Sequence, residues 1–361
     1  MEKVNYPRND TYILIPAYKP DHLMIELLVN LKSEGFDAVV VNDGSGEQFA
    51  DVFEEAEKYA IVLDQNPNRG KGAALRLGFS YVNLHPEGHN YVITCDADGQ
   101  HAVSDIIRVN DKLHETDCVV LGSRKFDKSV PKRSRNGNFM SRLCRTYLTK
   151  EYIQDDQCGL RGFPIKDVFN ITALQGDHYE YEMNVICNLQ IKRLKFEEVQ
   201  IETIYLDNNK SSHFKPSLDT FRIQRTIWSY AITPLTCALL SIGMLTVLTL
   251  IWPNVGLYTY MFLGLAYLFY YQVFIGVTAF MWPTKKMGRR TLIEGCYFTI
   301  KTLVIFVIST VLYELLKGHI PIAMPIAYTI ALLMSFLINF PLAYLVWKIK
   351  NRYVVKHNKE K

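Results

Sequence analysis

Tyr91-Val92-Ile93-Thr94-Cys95-Asp96-Ala97-Asp98-Gly99-Gln100-His101 is the stretch that decides the fold. Its first residues are apolar and partly β-branched, the pattern of a buried strand, and Gly99 marks where the chain turns. Two carboxylates therefore stand at the C-terminal end of a strand. In an open α/β sheet ligands bind at that end, and two acids one residue apart can share a divalent cation and the phosphates bound to it. An EF-hand also opens Asp-x-Asp, but it needs Asp or Asn at Gln100, Gly at His101 and an acid at Ile107; none is present. The same two acids also suit turn and cap positions ahead of a helix opening near Ser104.

Upstream, Thr11–Tyr18 is a short strand stopped by Pro16, and a helical pattern runs from Asp21 to Ser33 and ends at Gly35. Ala38-Val39-Val40-Val41 is the next strand, broken by Asn42-Asp43-Gly44-Ser45-Gly46. Strand, helix, strand in sequence predicts a mainly parallel, Rossmann-like sheet. Asp43 then ends the second strand, where an acid holds a ribose hydroxyl or a base edge, or simply forms an Asp-Gly turn. Ile61-Val62-Leu63 is a third strand, followed by the loop Asn66-Pro67-Asn68-Arg69-Gly70-Lys71-Gly72. This is no Walker A motif, since Gln65 replaces the first Gly and Ala73 the Ser or Thr. Helix N-terminal amides flanked by Arg69 and Lys71 still form a cradle suited to a diphosphate, with plain helix capping as the other reading.

Downstream, Cys118–Leu121 is a strand leading to Gly122-Ser123-Arg124 and a basic stretch that includes Lys125, Arg133, Arg135, Arg142 and Arg145. Such a run is either a solvated face or a site for an anionic acceptor or lipid headgroup. Asp155-Asp156-Gln157-Cys158-Gly159-Leu160-Arg161-Gly162-Phe163 forms a loop, His178–Asn184 opens a helix, and Val199–Leu206 alternates as a strand.

The chain has 361 residues, enough for more than one domain, and a net charge of +4, which excludes a strong nucleic-acid footprint. Its 49% hydrophobic content is uneven, with an α/β composition to residue 220 and long apolar runs beyond. Four runs, at 227–251, 256–282, 296–316 and 322–347, approach the roughly 20 residues that span a bilayer. The basic loop Pro283–Arg290 and the basic tail, by the positive-inside rule, predict a multi-pass plasma-membrane protein with its head and both termini cytoplasmic. Met1–Arg8 carries no apolar h-region, so no signal peptide is expected. Seven scattered cysteines predict reduced, mostly buried thiols.

Taken together, Ile15–Tyr18, Asn42–Ser45, Asn68–Gly72, Asp96–Gln100, Gly122–Arg124, Asp155–Arg161 and Ser211–Phe214 resemble family-2 glycosyltransferases of the GT-A fold. The resemblance is to polyprenyl-phosphate glycosyltransferases related to dolichyl-phosphate mannose synthase. The apolar block resembles a GtrA-like domain. The resemblance implies an α/β GT-A domain over 1–220, an all-α transmembrane domain of four helices over 221–350, and a basic tail over 351–361. It implies an inverting enzyme moving a hexose or N-acetylhexosamine from a nucleotide sugar, UDP-linked, to undecaprenyl or another polyprenyl phosphate.

By the same resemblance, Pro16, Ala17, Tyr18, Asp43, Lys71, Asp96 and Ala97 contact the nucleotide sugar. Asp96, Asp98 and Gln100 hold Mg2+ or Mn2+, while Arg124 with Arg133 or Arg135 holds the acceptor phosphate. Asp98, Arg124 and Asp155 carry the catalytic roles, with Asp156 leaving the choice between the two acids open. The partners implied are the donor, the lipid phosphate and membrane lipids, with no nucleic acid; homo-oligomerisation stays open. The rival readings are a lipid-linked-sugar carrier or scaffold with a non-catalytic head, and a processive polysaccharide synthase. The synthases carry Gln-x-x-Arg-Trp, which Gln224–Trp228 does not match.

Overall fold

Seven short strands assemble into one sheet whose central strands bury side chains on both faces. A computed structural model describes residues 6–124, 142–143, 145–146, 152–191, 194–202, 216–251, 266, 306–316, 319, 323–331, 333–334, 344–345 and 348. The chain divides into two units, Met1–Arg142 with Ile153–Ile227 and Leu143–Tyr152 with Trp228–Lys361.

In the first unit the order along the chain is β1 (Thr11–Ala17), α1 (His22–Ser33), β2 (Asp37–Asn42), α2 (Ala50–Ala56), β3 (Ala60–Asp64), α3 (Lys71–Leu84) and β4 (Tyr91–Thr94). Then come α4 (Val103–Thr116), β5 (Val119–Arg124), β6 (Arg161–Pro164), α5 (Ile165–Thr172), α6 (Glu180–Ile191), β7 (Phe196–Ile201) and α7 (Pro216–Ile251), whose residues from Trp228 on belong to the second unit. The strands lie in the order β3-β2-β1-β4-β6-β5-β7. β6 runs antiparallel to both neighbours, and every other pairing is parallel. The C-terminal ends of β1, β2, β4 and β5 and the start of β6 therefore share one edge.

Period-two alternation explains the layers. Ile13, Ile15, Val40 and Ile93 face a core with α1 and α4 that includes Leu28, Ile106 and Leu113. Tyr12, Leu14, Val39, Val41 and Val92 face the opposite core with Phe79, Phe163, Tyr181 and Ile186. Burying each such side chain contributes about 1.5–3 kcal/mol. Cys95 and Cys158 are buried within the first core, as the reduced-thiol expectation requires.

Two elements differ from the sequence expectation. β6 was read as part of a loop, because four residues containing Arg161 and Pro164 carry no strand pattern of their own. Backbone pairing with β4 and β5 makes them a strand. β7 begins at Phe196 rather than Val199, since Phe196 and Ile201 are its buried residues.

The second unit has a small core of Leu245, Ala266, Met324, Tyr328 and Ala331, with the Tyr328 hydroxyl donating to Ser241 Oγ at 3.0 Å. The multi-pass plasma-membrane placement is overturned: among the described residues no helix is long and apolar enough to cross a membrane. Apolar runs in a sequence give length without giving continuous helix. The described helical residues within the third and fourth runs include 306–316 and 323–331. α7 is longer, but its opening turns carry Asp219, paired with Arg222 at 3.2 Å, and Arg225. Most of the second run, 256–282, lies outside the described residues, as do Arg133, Arg135, Ser211–Phe214 and the 351–361 tail.

Candidate active site

Where β2 ends, Asp43 is buried, and its carboxylate organises the next loop. Oδ1 accepts from Gln65 Nε2 at 2.6 Å and the Arg69 N–H at 2.8 Å. Oδ2 accepts from the Gly70 N–H at 2.8 Å and Asn68 Nδ2 at 3.1 Å. Those four bonds use the roughly four lone-pair positions a carboxylate offers. Gly70, at φ 103°, hands the loop to α3, and any Cβ there would lie 2.2 Å from the His178 ring. Lys71 is thus the first residue of α3. Pro16 and Ala17 end β1, Tyr18 follows them, and the Asp43 N–H donates to the Ala17 carbonyl at 2.9 Å.

Past β4, Asp96 and Lys71 form an ion pair at 2.7 Å, and Lys71 also reaches Glu182 Oε2 on α6 at 3.0 Å. The Lys71 ammonium lies 5.5 Å from the Tyr179 ring centroid. Burial opposes ionisation of Asp96, but Lys71 and His101 override it and hold the carboxyl well below the usual range. For Lys71, burial is likewise overridden, by Asp96 and Glu182, and the ammonium is held charged. Asp98 is pushed up by burial and then by Asp96, the behaviour of two acids sharing one place. Asp98 Oδ1 accepts the Gln100 N–H at 3.1 Å, so it shapes the turn as well. α4 opens after Ala102 with no side-chain cap, so neither acid caps it.

His101 Nε2 is buried without a hydrogen-bond partner, 3.5 Å from Asp96 Oδ2. On its other side the Asp96 carboxylate lies against Gly159, where a Cβ would come within 2.7 Å of Oδ2. Ala97 packs on the first core.

Next along the edge, Arg124 at the end of β5 meets Asp155. Arg124 Nε donates to Oδ2 at 2.6 Å and Nη2 to Oδ1 at 3.1 Å, a bidentate pair. The Arg124 N–H adds a third bond to Oδ2 at 3.2 Å. Of the two neighbouring acids, Asp155 is therefore the one on Arg124. Buried Arg161 fastens the loop, donating to the carbonyls of Cys158 (2.8 Å), Asp156 (3.3 Å) and Glu182 (2.7 Å).

The chain has relatives among known proteins. The description of glycosyl transferase family 2 fits residues 12–168. An uncharacterized protein of Methanocaldococcus jannaschii is 32% identical over 212 residues, covering 56% of this chain and 85% of that protein. The chain belongs to glycosyl transferase family 2. Another relative is the UDP-N-acetylglucosamine–dolichyl-phosphate N-acetylglucosaminyltransferase of Methanococcus voltae, 27% identical over 54% of this chain and 86% of that enzyme. A third is the dolichyl-phosphate beta-glucosyltransferase of Dictyostelium discoideum, 24% identical over 57% of this chain and 70% of that enzyme. Glucosyl-3-phosphoglycerate synthase of Mycobacterium tuberculosis, solved with Mn2+, uridine diphosphate and product, superposes with a TM-score of 0.46 at 15% identity, covering 61% of this chain and 79% of that one.

The sheet edge of this family-2 glycosyltransferase also brings in residues that its sequence did not single out. Glu182 was read only as part of a helix opening, and Gly159 and His101 only as motif letters. An acid in the first turn of a helix is ordinary in sequence, and the Lys71 contact exists only once α3 and α6 are packed together. Asp96, Asp98 and Gln100 present oxygen donors, the chemistry that Mg2+ and Mn2+ take. Among the described residues no group of three or more His, Cys, Asp and Glu gathers. Two carboxylates with substrate phosphates and water is the arrangement that suits Mg2+.

Proposed function

We propose that this glycosyltransferase moves a hexose or N-acetylhexosamine from a UDP-linked donor to a polyprenyl phosphate with inversion at the anomeric carbon. The reading is carried by the clamped Arg124–Asp155 pair, which shares the sheet edge with Asp96, Asp98 and Lys71. One cluster suits a diphosphate and the other a second anion. The printed names of the Methanococcus and Dictyostelium relatives, both acting on dolichyl phosphate, support the lipid phosphate as that anion.

Asp96, Asp98 and Gln100 would hold Mg2+ or Mn2+, which when bound neutralises the leaving diphosphate. Lys71 adds a further cation beside that diphosphate, and the 65–70 loop held by Asp43, with Pro16, Ala17, Tyr18 and Ala97, lines the nucleotide. Arg124 orients the acceptor phosphate, and Asp155 keeps Arg124 extended towards it. An oxygen of that phosphate attacks the anomeric carbon as the carbon's bond to the β-phosphate oxygen breaks and uridine diphosphate departs. The phosphate is already anionic at neutral pH, so no general base is required, and the residues act by position and charge.

The test is a donor screen with the purified full chain, a polyprenyl phosphate in detergent, Mn2+ or Mg2+, and labelled UDP-N-acetylglucosamine, UDP-glucose and GDP-mannose. Label entering the organic phase with one UDP-sugar supports the reading. Release of free sugar without organic-phase label from any donor overturns the acceptor assignment.

A further inference from the structure

Lys71 is one cation placed between two carboxylates that come from different parts of the chain. Its bond to Glu182 joins two helices that are already welded. The Ala73 N–H donates to the Asp177 carbonyl at 3.0 Å, and Gly72 lies so close to Tyr181 that a Cβ would stand 2.5 Å from that side chain. Arg161 additionally ties the Glu182 carbonyl to the loop that precedes β6. Its bond to Asp96, by contrast, reaches across to the turn after β4. Glu182 is therefore the fixed partner of Lys71, and Asp96 the exchangeable one.

Asp96 Oδ1 has two claimants. Lys71 holds it at 2.7 Å, and the same carboxylate with Asp98 is the place for a divalent cation in the reading above. An ammonium and a divalent cation repel each other when they crowd one carboxylate, and the repulsion is strong in a site shielded from water.

We propose that Glu182 is a positioning residue for the donor: it retains Lys71 when Asp96 turns to the cation, so the ammonium stays beside the diphosphate and off the metal-binding carboxylate. The inference rests on the reading of Asp96 and Asp98 as the cation and diphosphate centre. Without Glu182, Lys71 has only Asp96, and cation binding must break that pair.

The experiment measures Mn2+ affinity by electron paramagnetic resonance in the full chain with uridine diphosphate present, for wild type, E182Q, K71M and the double variant. E182Q is expected to weaken Mn2+ by about tenfold and K71M to tighten it, while E182Q adds no loss once Lys71 is absent. Glu182→Asp, which keeps the charge on a shorter arm, should lose less, again only while Lys71 is present; it stands in if E182Q does not fold. An equal loss from E182Q in both backgrounds makes Glu182 a cation ligand and overturns the proposal, as does no loss in either. D98A separates the two levels. If it leaves Mn2+ binding unchanged, the underlying centre is wrong and the Glu182 role falls with it; if it abolishes binding while E182Q is silent, only the Glu182 role falls.

Discussion

Lys71 on one side of the sheet edge divides itself between Asp96 and Glu182, whereas Arg124 on the other side is gripped by Asp155 through three bonds. The first arrangement can change partner without leaving a charge unpaired. The second cannot, since releasing Arg124 would strand the buried Asp155 carboxylate. On the proposed reading, the donor side is thus free to rearrange as its ligand arrives, and the acceptor side is built in advance. Asp96 and Arg124 lie at the ends of strands joined by the β4-β6-β5 pairing, whereas Lys71 and Glu182 come from α3 and α6.

The largest expected effect comes from removing the donor centre. D98A should lower turnover by at least about 10²-fold, with circular dichroism unchanged; normal turnover would erase the distinction between the two sides. R124Q should raise the KM for polyprenyl phosphate by about 10–100-fold and leave donor hydrolysis near wild type. Equal loss of both would show that Arg124 serves the donor as well. D155N should act in the same direction more weakly, and restoring the acceptor KM by no other means than Asp155 would mark it as the residue that positions Arg124.

Smaller effects concern stability. D43N exchanges two acceptors for one acceptor and one donor facing N–H groups, and should cost about 1–3 kcal/mol, read as a lowered Tm. An unchanged Tm would mean that the 65–70 loop is held by other contacts. The acid limb is the finest probe. Asp96 is held below the ordinary carboxylate range, first against burial and then by Lys71, so its ion pair stabilises the fold above the unfolded-state pKa of about 4 and is lost as pH falls further. In K71M only His101 is left to oppose burial, and that acid-side loss of stability should flatten in urea titrations at pH 3–6. An unchanged slope would remove Lys71 from the account.

The parallel half of the sheet was legible because β1, β2 and β4 are apolar runs closed by Pro16, Gly44 and Gly99, so local chemistry and tertiary packing agree. β6 was not, since its four residues become a strand only through neighbours distant in sequence. Asp96 and Asp98 were visible from their spacing. The partners of Asp43, and the Lys71–Glu182 bond, depend on where α3 meets its own loop and α6, which no spacing reports. The apolar runs beyond residue 220 misled because hydropathy counts residues along the chain, while among the described residues no helix is long and apolar enough to cross a membrane.

β6 has a further consequence. It sits between β4 and β5, with Thr94 and Leu121 both opposite Arg161. Neighbouring strands lie about 4.8 Å apart, so the strand ends that carry Asp96 and Arg124 are two spacings, roughly 10 Å, from each other. Were β4 and β5 adjacent, the gap would halve, and a pyranose ring with its incoming phosphate would not fit between the two clusters. On the proposed reading, four unassuming residues thereby act as a gauge block, setting by backbone hydrogen bonding the clearance in which a glycosidic bond is exchanged.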